Sequence, residues 1–399
     1  MNFSKLPLPG IKGAYDYIIT GAGCAGLSLL KRMMHHSLFN DKKILLIDKA
    51  EKSLNDKTWC FWEQQSGIFE DIVYHRWQQI DFYSNDFSAR FDLLPYQYKM
   101  IRSIDLYTSV LDEAKHHPNI DIVYEDILLV ENVANAAVVK TIANEFCADY
   151  IFNSIIFTDW KPQALLQKHT YVLLQHFKGW LIETNKAAFD ERIATFMDFR
   201  VEQNKGTSFV YVLPMAKNKA LVEYTLFSEN ILQQHEYDAA LKNYLQSYLN
   251  IEDYNVIHTE FGIIPMTNFK FSKGEKRIIN IGTAGGQTKS SSGYTFQFIQ
   301  KHSKKIINAL INQNDPLNIK VNASRFYLYD SILLNVLSNK KMSGDKLFAQ
   351  LFKNNPIKVI IKFLDNETNF KEELKIMNSV SLTTFLPAAI KEVITALLR

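Results

Sequence analysis

Apolar and polar positions along the chain fall into three successive rhythms. Near the N-terminus the apolar run in Tyr15–Ile19 breaks at Gly21, Gly23 and Gly26, and Leu27–Met34 continues at helical spacing. Lys43–Ile47 is a second solid apolar run, ending at Asp48. Solid runs joined through a helix predict buried parallel strands. After Asp48 this rhythm stops: residues 51–99 carry TWCFWE at Thr58–Glu63 and aromatic and polar alternation around Phe69–Phe91, an excursion from the first domain. Helical spacing at Ile104–His116, with strands near Ile120–Tyr124, Ala136–Ile142 and Tyr150–Phe157, predicts a return to it. Residues 1–14, punctuated by Pro and Gly, read as a leader strand or arm.

From Thr170 the pattern turns antiparallel. Tyr171–Thr184, Thr195–Gln203, Ser208–Met215 and Ala220–Phe227 predict strands, with hairpin loops at Asn204–Gly206 and Lys217–Lys219. Residues 236–249 read as a helix and His258–Met266 as one more strand. Arg277–Ile281 then runs into GTAGGQTKSSSGYTF, a second strand-to-helix glycine turn, with a helix expected over Ser292–Leu310. The last hundred residues read as mainly helical, with Leu347, Phe348, Leu351 and Phe352, then Val359, Ile360, Phe363 and Leu364, near 3.6-residue spacing. The expected fold is α/β: a Rossmann-like nucleotide-binding domain in three segments (1–57, 100–165, 273–311), an excursion at 58–99, an inserted antiparallel substrate domain at 166–272 and a helical region at 312–399.

At 399 residues and 47% hydrophobic, the chain can bury one large core or two smaller ones. A net charge of +3 without long runs of like charge argues against a nucleic-acid partner. The charge is uneven: residues 301–399 hold 15 Lys+Arg against 8 Asp+Glu, a net of +7 that leaves −4 elsewhere. An anionic surface is a candidate partner for that end. Cys24, Cys60 and Cys147 are too scattered for a metal quartet or a disulfide framework, so a reducing compartment is expected. The histidines are scattered without HxxE or HExxH spacing, and no metal is implied. No charged segment precedes an apolar core at the N-terminus, and no apolar window approaches 18 residues, so the expectation is a protein neither secreted nor membrane-spanning.

The first glycine turn carries the cofactor argument. In GAGCAG, Gly21 permits a tight turn, Gly23 lets a phosphate approach the backbone, and Gly26 lets helix and strand pack closely; Ala22 and Cys24 complete the turn, Cys24 as a small packing residue. GxGxxG alone is also compatible with a structural turn, but here strand, turn, helix, strand and acid fall in order. Asp48, 22 residues after Gly26, can bond the hydroxyls of an adenosine ribose, which favours FAD or NAD over a 2′-phosphorylated cofactor. The second turn, with Gly282, Gly285, Gly286 and Gly293, can set a helix N-terminus near an isoalloxazine and stabilise an anionic reduced flavin. An NAD-only domain has no need of it, so the pair of turns favours FAD. Arg102 is grouped with the cofactor set.

These residues also carry a resemblance. YDYIITGAGCAG, LLIDK, TWCFW, FMDFR at Phe196–Arg200, FVYVLP at Phe209–Pro214, LVEYT at Leu221–Thr225, GIIPM at Gly262–Met266 and the stretch Gly282–Phe296, in this order, resemble the lycopene β-cyclase family over roughly residues 15–300. The resemblance implies an FAD enzyme that closes β-ionone rings on lycopene, through a one-ringed intermediate and without net redox change, the reduced flavin stabilising a cationic transition state and NAD(P)H serving as reductant. It implies Glu223 of LVEYT as the acid, and if its strand face lines an apolar tunnel, desolvation holds it protonated; a solvent-facing strand glutamate is the bland alternative. Asp198 and Arg200, at the parity of Phe196, either flank Glu223 or form a plain ion pair, with Asp198 a second proton acceptor. Trp59, Phe61, Trp62, Phe199, Tyr211 and Tyr224 are candidates to offer π faces to the cation, or are core. Thr283 stands where the wider flavoprotein superfamily has Asp.

A C40 hydrocarbon must come from a bilayer. Helices around 346–364 and 384–398, with Lys353, Lys358, Lys362 and Lys391, therefore either lie at the headgroup boundary or cap the core. The expected partners are lycopene and other acyclic carotenoids and a membrane surface, the expected location the inner face of the cell membrane. Two other readings stay open: a flavin monooxygenase or reductase acting on an apolar isoprenoid, and a carotenoid- or lipid-binding protein without catalysis.

Overall fold

In the computed structural model, which describes residues 11–320 and 324–397, the apolar strand Ile11–Thr20 lies inside an eight-stranded sheet. It pairs in parallel with Ile44–Asp48 on one side and Glu145–Asn153 on the other. Ile120–Tyr124 and Ile278–Asn280 extend the parallel array on either flank. Ile18, Ile19, Leu45 and Leu46 are fully buried, which is why these strands read as unbroken apolar runs. Residues 1–10 of the expected leader lie outside the described residues. The structure adds a strand at Ile127–Val133, hairpinned to Ala136–Thr141. Half-exposed on both faces, it has no alternation for sequence reading to detect.

The second sheet has seven strands in the order Asn255–Thr267, Val172–Glu183, Lys219–Ser228, Thr207–Ala216, Ile193–Asp198, Gln79–Tyr83, Ser88–Asp92. Its last two strands come from the excursion, and Gln79–Tyr83 joins Ile193–Asp198 in parallel, the one parallel pairing in an otherwise antiparallel sheet. The strand expected over Thr195–Gln203 stops at Asp198, whose carboxylate accepts the Arg200 backbone N–H at 3.0 Å and turns the chain. The remainder of the excursion, Thr58–Glu63, His75–Trp77 and Gln97–Arg102, forms a small antiparallel sheet.

One face of the seven-stranded sheet is covered by the helix Gln234–Ser247, through Tyr237, Leu241, Tyr244 and Leu245 against Val210, Val222 and Leu226. The opposite face is covered in part by Gly344–Asn354 and Ile357–Leu364: Phe352 stacks on Phe82 at 4.3 Å and Phe348 on Phe199 at 5.3 Å. Burial of each such ring is worth roughly 2–3 kcal/mol. Of the two placements open for the helices around 346–364, the structure therefore shows them capping the core. Their apolar stripe, including Leu347, Ile360 and Ile361, is spent on the core, and Lys362 pairs with Glu372 at 2.5 Å. The last helix, Leu382–Leu397, differs: Leu382, Leu386, Ile390 and Ile394 are each more than half exposed.

Candidate active site

The strand Ile11–Thr20 ends in a turn that its sequence requires. Gly21 adopts φ +93°, and a Cβ on Gly26 would stand 2.1 Å from the Gly21 carbonyl oxygen, so the helix Cys24–Met34 can approach its strand only without a side chain there. Gly23 caps that helix with no side-chain partner, and the first turn holds no acidic residue. A Cβ on Gly23 meets no atom within 4 Å. The result is an open set of backbone N–H groups at a helix N-terminus, suited to a pyrophosphate. Asp48 lies beside it, accepting the Ala22 N–H at 2.6 Å and pairing with Lys52 at 2.9 Å. Burial pushes the Cys24 thiol up to about 12, which keeps it a neutral packing group.

The second glycine turn touches the first. Gly282 has φ +62°, and a Cβ there would come within 2.8 Å of Cβ of Ala25. The Lys289 backbone N–H donates to the Tyr294 carbonyl at 2.8 Å, Gly293 sits at φ +70°, and the helix expected from Ser292 therefore begins only at Phe296. Thr283, Ser292 and Gly293 line a cavity of about 420 Å³. In its wall, Gln175 Oε1 and Ser292 Oγ are buried with no hydrogen-bond partner among the described residues. Unpaired polar atoms beside an open glycine turn fit the polar edge of a heteroaromatic ring. Together the two turns fit a dinucleotide with pyrophosphate at one and ring at the other.

The same cavity reaches the seven-stranded sheet. Four adjacent strands place Tyr211, Glu223, Gly179 and Glu260 in one row of the pairing register, and Tyr211, Glu223 and Glu260 line the cavity. Side chains in one row point to one face. With no side chain between them, the two carboxyls face the same cavity across Gly179 and act on each other electrostatically. Thr225 donates to Glu223 at 2.8 Å and Thr58 to Glu260 at 2.9 Å. Glu260 is 6% exposed; Glu223 keeps some accessible surface on the cavity side but is otherwise enclosed by protein. Desolvation, reinforced by the facing Glu260, raises the Glu223 carboxyl well above the usual range. Desolvation raises Glu260 to about 7, opposed by the hydrogen bond from Thr58. Glu223 thus holds the last proton of the pair. Trp59, Tyr98, Tyr294 and Leu213 complete much of the wall, which is rich in aromatic rings.

A family model described as lycopene cyclase protein matches residues 16–390. The chain belongs to the lycopene cyclase family. A comparison with curated proteins gives no match. Among solved structures, the chain is similar to a geranylgeranyl bacteriochlorophyll reductase-like protein from Thermoplasma acidophilum, at 12% identity and TM-score 0.63 over 96% of this chain and 98% of that one. A flavoprotein/dehydrogenase from Cytophaga hutchinsonii matches at 10% identity and TM-score 0.60, over 96% and 100%. The p-nitrophenol 4-monooxygenase of Pseudomonas putida DLL-E4 matches at 11% identity and TM-score 0.56, over 96% and 98%. At these identities the likeness is one of fold, an α/β Rossmann-like flavoprotein architecture with an inserted sheet and a helical C-terminal region.

Within this lycopene cyclase fold, the candidate residues divide. Trp59, Tyr211 and Glu223 share the cavity. Asp198 and Arg200 do not flank Glu223, which corrects the parity argument. A bulge lies between Thr195 and Asp198, opposite Val212 and Val210, and it shifts Asp198 to the other face of the sheet. There its carboxylate takes Arg200 in a two-pronged pair and the Tyr244 hydroxyl at 2.8 Å. Tyr224, one residue from Glu223, necessarily faces the same far side and packs on Tyr237. Phe199 is core, between Phe209 and Phe348. Phe61 stacks on Phe296 at 4.1 Å outside the cavity, and the Trp62 indole N–H is held by Asp365 at 3.0 Å. Arg102 forks onto Asp105 at 2.7 Å and lies over the Tyr74 ring, so its guanidinium is engaged next to its own helix. Sequence reading missed Glu260. The available signal was Gly179 in the middle of a twelve-residue strand, which marks a close approach.

Proposed function

We propose that this lycopene cyclase family member is a flavin-dependent β-cyclase that closes β-ionone rings on the ends of lycopene, giving β-carotene through γ-carotene, without net redox change. The observation that carries the reading is Glu223, a carboxyl kept protonated at neutral pH in an aromatic-walled cavity that runs to the second glycine turn. A buried, neutral carboxyl is the group needed to protonate an isolated double bond. Glu223 donates to the terminal double bond of the polyene, and the adjacent double bond attacks the cation so formed. Tyr211, Trp59 and Tyr98 face that charge with π surfaces, each worth about 1–2 kcal/mol in a dry site. Leu213, Leu221 and Ile264 keep water from capturing it. FAD fits Gly21–Gly26 and Asp48 with its ADP half and Gly282–Gly293 with its flavin half, and when bound and reduced, with NAD(P)H as reductant, supplies negative charge near the cation. Thr283, in place of the superfamily Asp, lines the cavity with its hydroxyl 3.3 Å from that of Thr288.

Delivery of so insoluble a substrate motivates a second part of the proposal, peripheral attachment at the cytoplasmic face of the cell membrane. Among the described residues no helix is long and apolar enough to cross a membrane. Support for surface attachment comes from Leu382–Leu397, which carries an exposed apolar stripe and Lys391, and from the exposed Phe370 and Leu374 of the preceding helix.

The deciding experiment is pigment extraction from lycopene-accumulating cells expressing this chain. β-Ringed carotenoids are expected from the native chain, and Glu223→Gln is expected to lose them, by about 10²–10⁴-fold in rate, while retaining flavin. Unchanged lycopene with the native chain, or a hydroxylated or reduced polyene formed with stoichiometric NAD(P)H oxidation, overturns the reading in favour of a monooxygenase or reductase.

A further inference from the structure

We propose that Glu260 is the base of the ring closure and that the pair Glu223–Glu260 recycles one proton internally. The inference rests on the cyclase reading and adds to it the fate of the proton. Its basis is geometric. Glu223 and Glu260 stand in one register row on either side of Gly179 and line the same cavity. A Cβ on Gly179 would stand 3.0 Å from Glu260 Cγ and 3.1 Å from Leu221 Cδ1, so contact between the carboxyls depends on glycine at that position. Glu260 is also fixed from the other side by Thr58, whose hydroxyl donates to Oε2 at 2.9 Å and leaves the second oxygen for the pair or for substrate.

The chemistry closes without an outside reagent. Glu223 gives its proton to the terminal double bond, forming one C–H bond and a tertiary cation. The electron pair of the next double bond makes the ring C–C bond and moves the cation to the adjacent carbon. Glu260, as carboxylate, removes the proton from the neighbouring ring carbon, and that C–H electron pair becomes the ring double bond. One π bond has been replaced by one C–C bond, one C–H bond formed and one broken. The proton now on Glu260 passes to Glu223 across Gly179, and the pair returns to its starting state with one proton. The first carboxylate therefore never needs bulk solvent, which a cavity walled by Trp59, Leu213 and Tyr294 holds off.

The titratable and charged groups around Glu260 are Glu223, Tyr211 and Tyr294, Cys60 and Tyr98, Asp56 and Lys57 at the cavity wall, and His258 on its own strand. Burial keeps the four cavity-wall phenol and thiol groups neutral across the range of interest. With Glu260 near 7, the rate of the native chain should fall as pH drops through that value, because the base becomes protonated.

The test uses the full chain with reduced FAD in liposomes containing lycopene, and reads ring formation against pH alongside bound flavin. Glu260→Gln is expected to cut turnover by about 100-fold or more and to abolish the acid-side decline in what remains, with flavin retained. Gly179→Ala keeps both carboxyls but displaces Glu260, and is expected to slow turnover about tenfold. If Glu260→Gln keeps the native rate and the acid-side decline, or if it fails to hold flavin and Gly179→Ala cyclises within twofold of native, Glu260 is not the base. A native chain that forms no rings overturns the cyclase reading itself, an outcome distinct from either.

Discussion

Glu223 and Glu260 flank Gly179, the residue that pairs with both in the sheet, and open onto one cavity. Two buried carboxyls in contact are a cost to the fold that depends on pH. Glu260 ionises at about 7 in the folded chain against an ordinary value of 4.5, so the folded state binds its proton more tightly than the unfolded state does. Stability contributed by this proton is full below 4.5 and is lost as pH rises through about 7. At about 1.4 kcal/mol per pH unit across the window, the full loss is on the order of 3–4 kcal/mol. The native chain should therefore lose thermal stability between pH 5 and pH 8 relative to Glu260→Gln, followed by circular dichroism in parallel melts. Parallel pH dependence in the two proteins would contradict the buried pair.

The nucleotide turn predicts a contrast between two glycines. At Gly26 a methyl group meets the Gly21 carbonyl oxygen at 2.1 Å, so Gly26→Ala must move helix from strand. Overpacking of this kind costs about 1–3 kcal/mol, and both stability and flavin retention should fall. At Gly23 a methyl group meets nothing within 4 Å, and φ −87° suits alanine. Gly23→Ala should keep the melting temperature of the flavin-free chain close to native while weakening flavin binding, because the methyl group intrudes where a phosphate would approach. Fluorescence titration with FAD beside thermal melts of the stripped proteins separates the two. Equal flavin affinity in native chain and Gly23→Ala would remove the pyrophosphate from this turn.

Asp198 carries a structural prediction where sequence parity suggested a catalytic one. Its fully buried carboxylate accepts from Arg200 Nε, Nη2 and backbone N–H and from Tyr244, and the guanidinium lies over Tyr83 at 4.4 Å. Removing one partner of such a pair leaves the other charge uncompensated, at about 3–5 kcal/mol when both are buried and less here because Arg200 is partly exposed. Asp198→Asn should lower the denaturation midpoint clearly, while ring formation per folded, flavin-loaded molecule stays within a few-fold of native. A catalytic loss as deep as that of Glu223→Gln, in protein that melts normally, would return Asp198 to the chemistry.

How much of this was legible in the sequence follows the range of the forces involved. The nucleotide fold was readable because strand, glycine turn, helix and acid lie within 34 residues, from Tyr15 to Asp48, and each is fixed by local backbone requirements. The antiparallel strands were readable from alternation and hairpin loops. Assignments resting on parity failed where one residue of bulge intervened, as between Thr195 and Asp198. Glu260 was not legible because its role depends on a strand 37 residues from Glu223 in sequence, brought near through a third strand. The stripe at Leu347–Leu364 was legible as amphipathic, but periodicity alone does not say whether protein or lipid covers it. Here Phe82, Phe199 and their neighbours do.

The final helix answers the same question differently and can be tested directly. Ala388, Glu392 and Thr395 face the protein, Glu392 accepting from the Tyr171 hydroxyl at 2.6 Å and from Asn335 at 2.8 Å, so the helix is anchored by its polar side. Its outward side repeats Leu382, Leu386, Ile390 and Ile394 at spacings of four, a stripe that no described element covers. An inward-facing glutamate and an outward-facing row of Leu and Ile invert the usual order for a water-facing helix, and Lys391 adds positive charge on the same helix. Replacing Leu386 and Ile390 together by Glu touches neither the core nor the cavity. The variant should melt like the native chain, act equally on lycopene dispersed in detergent, and lose most of its sedimentation with vesicles containing anionic lipid, together with its activity on lycopene held in those vesicles. Undiminished vesicle binding would move the membrane contact elsewhere on the surface.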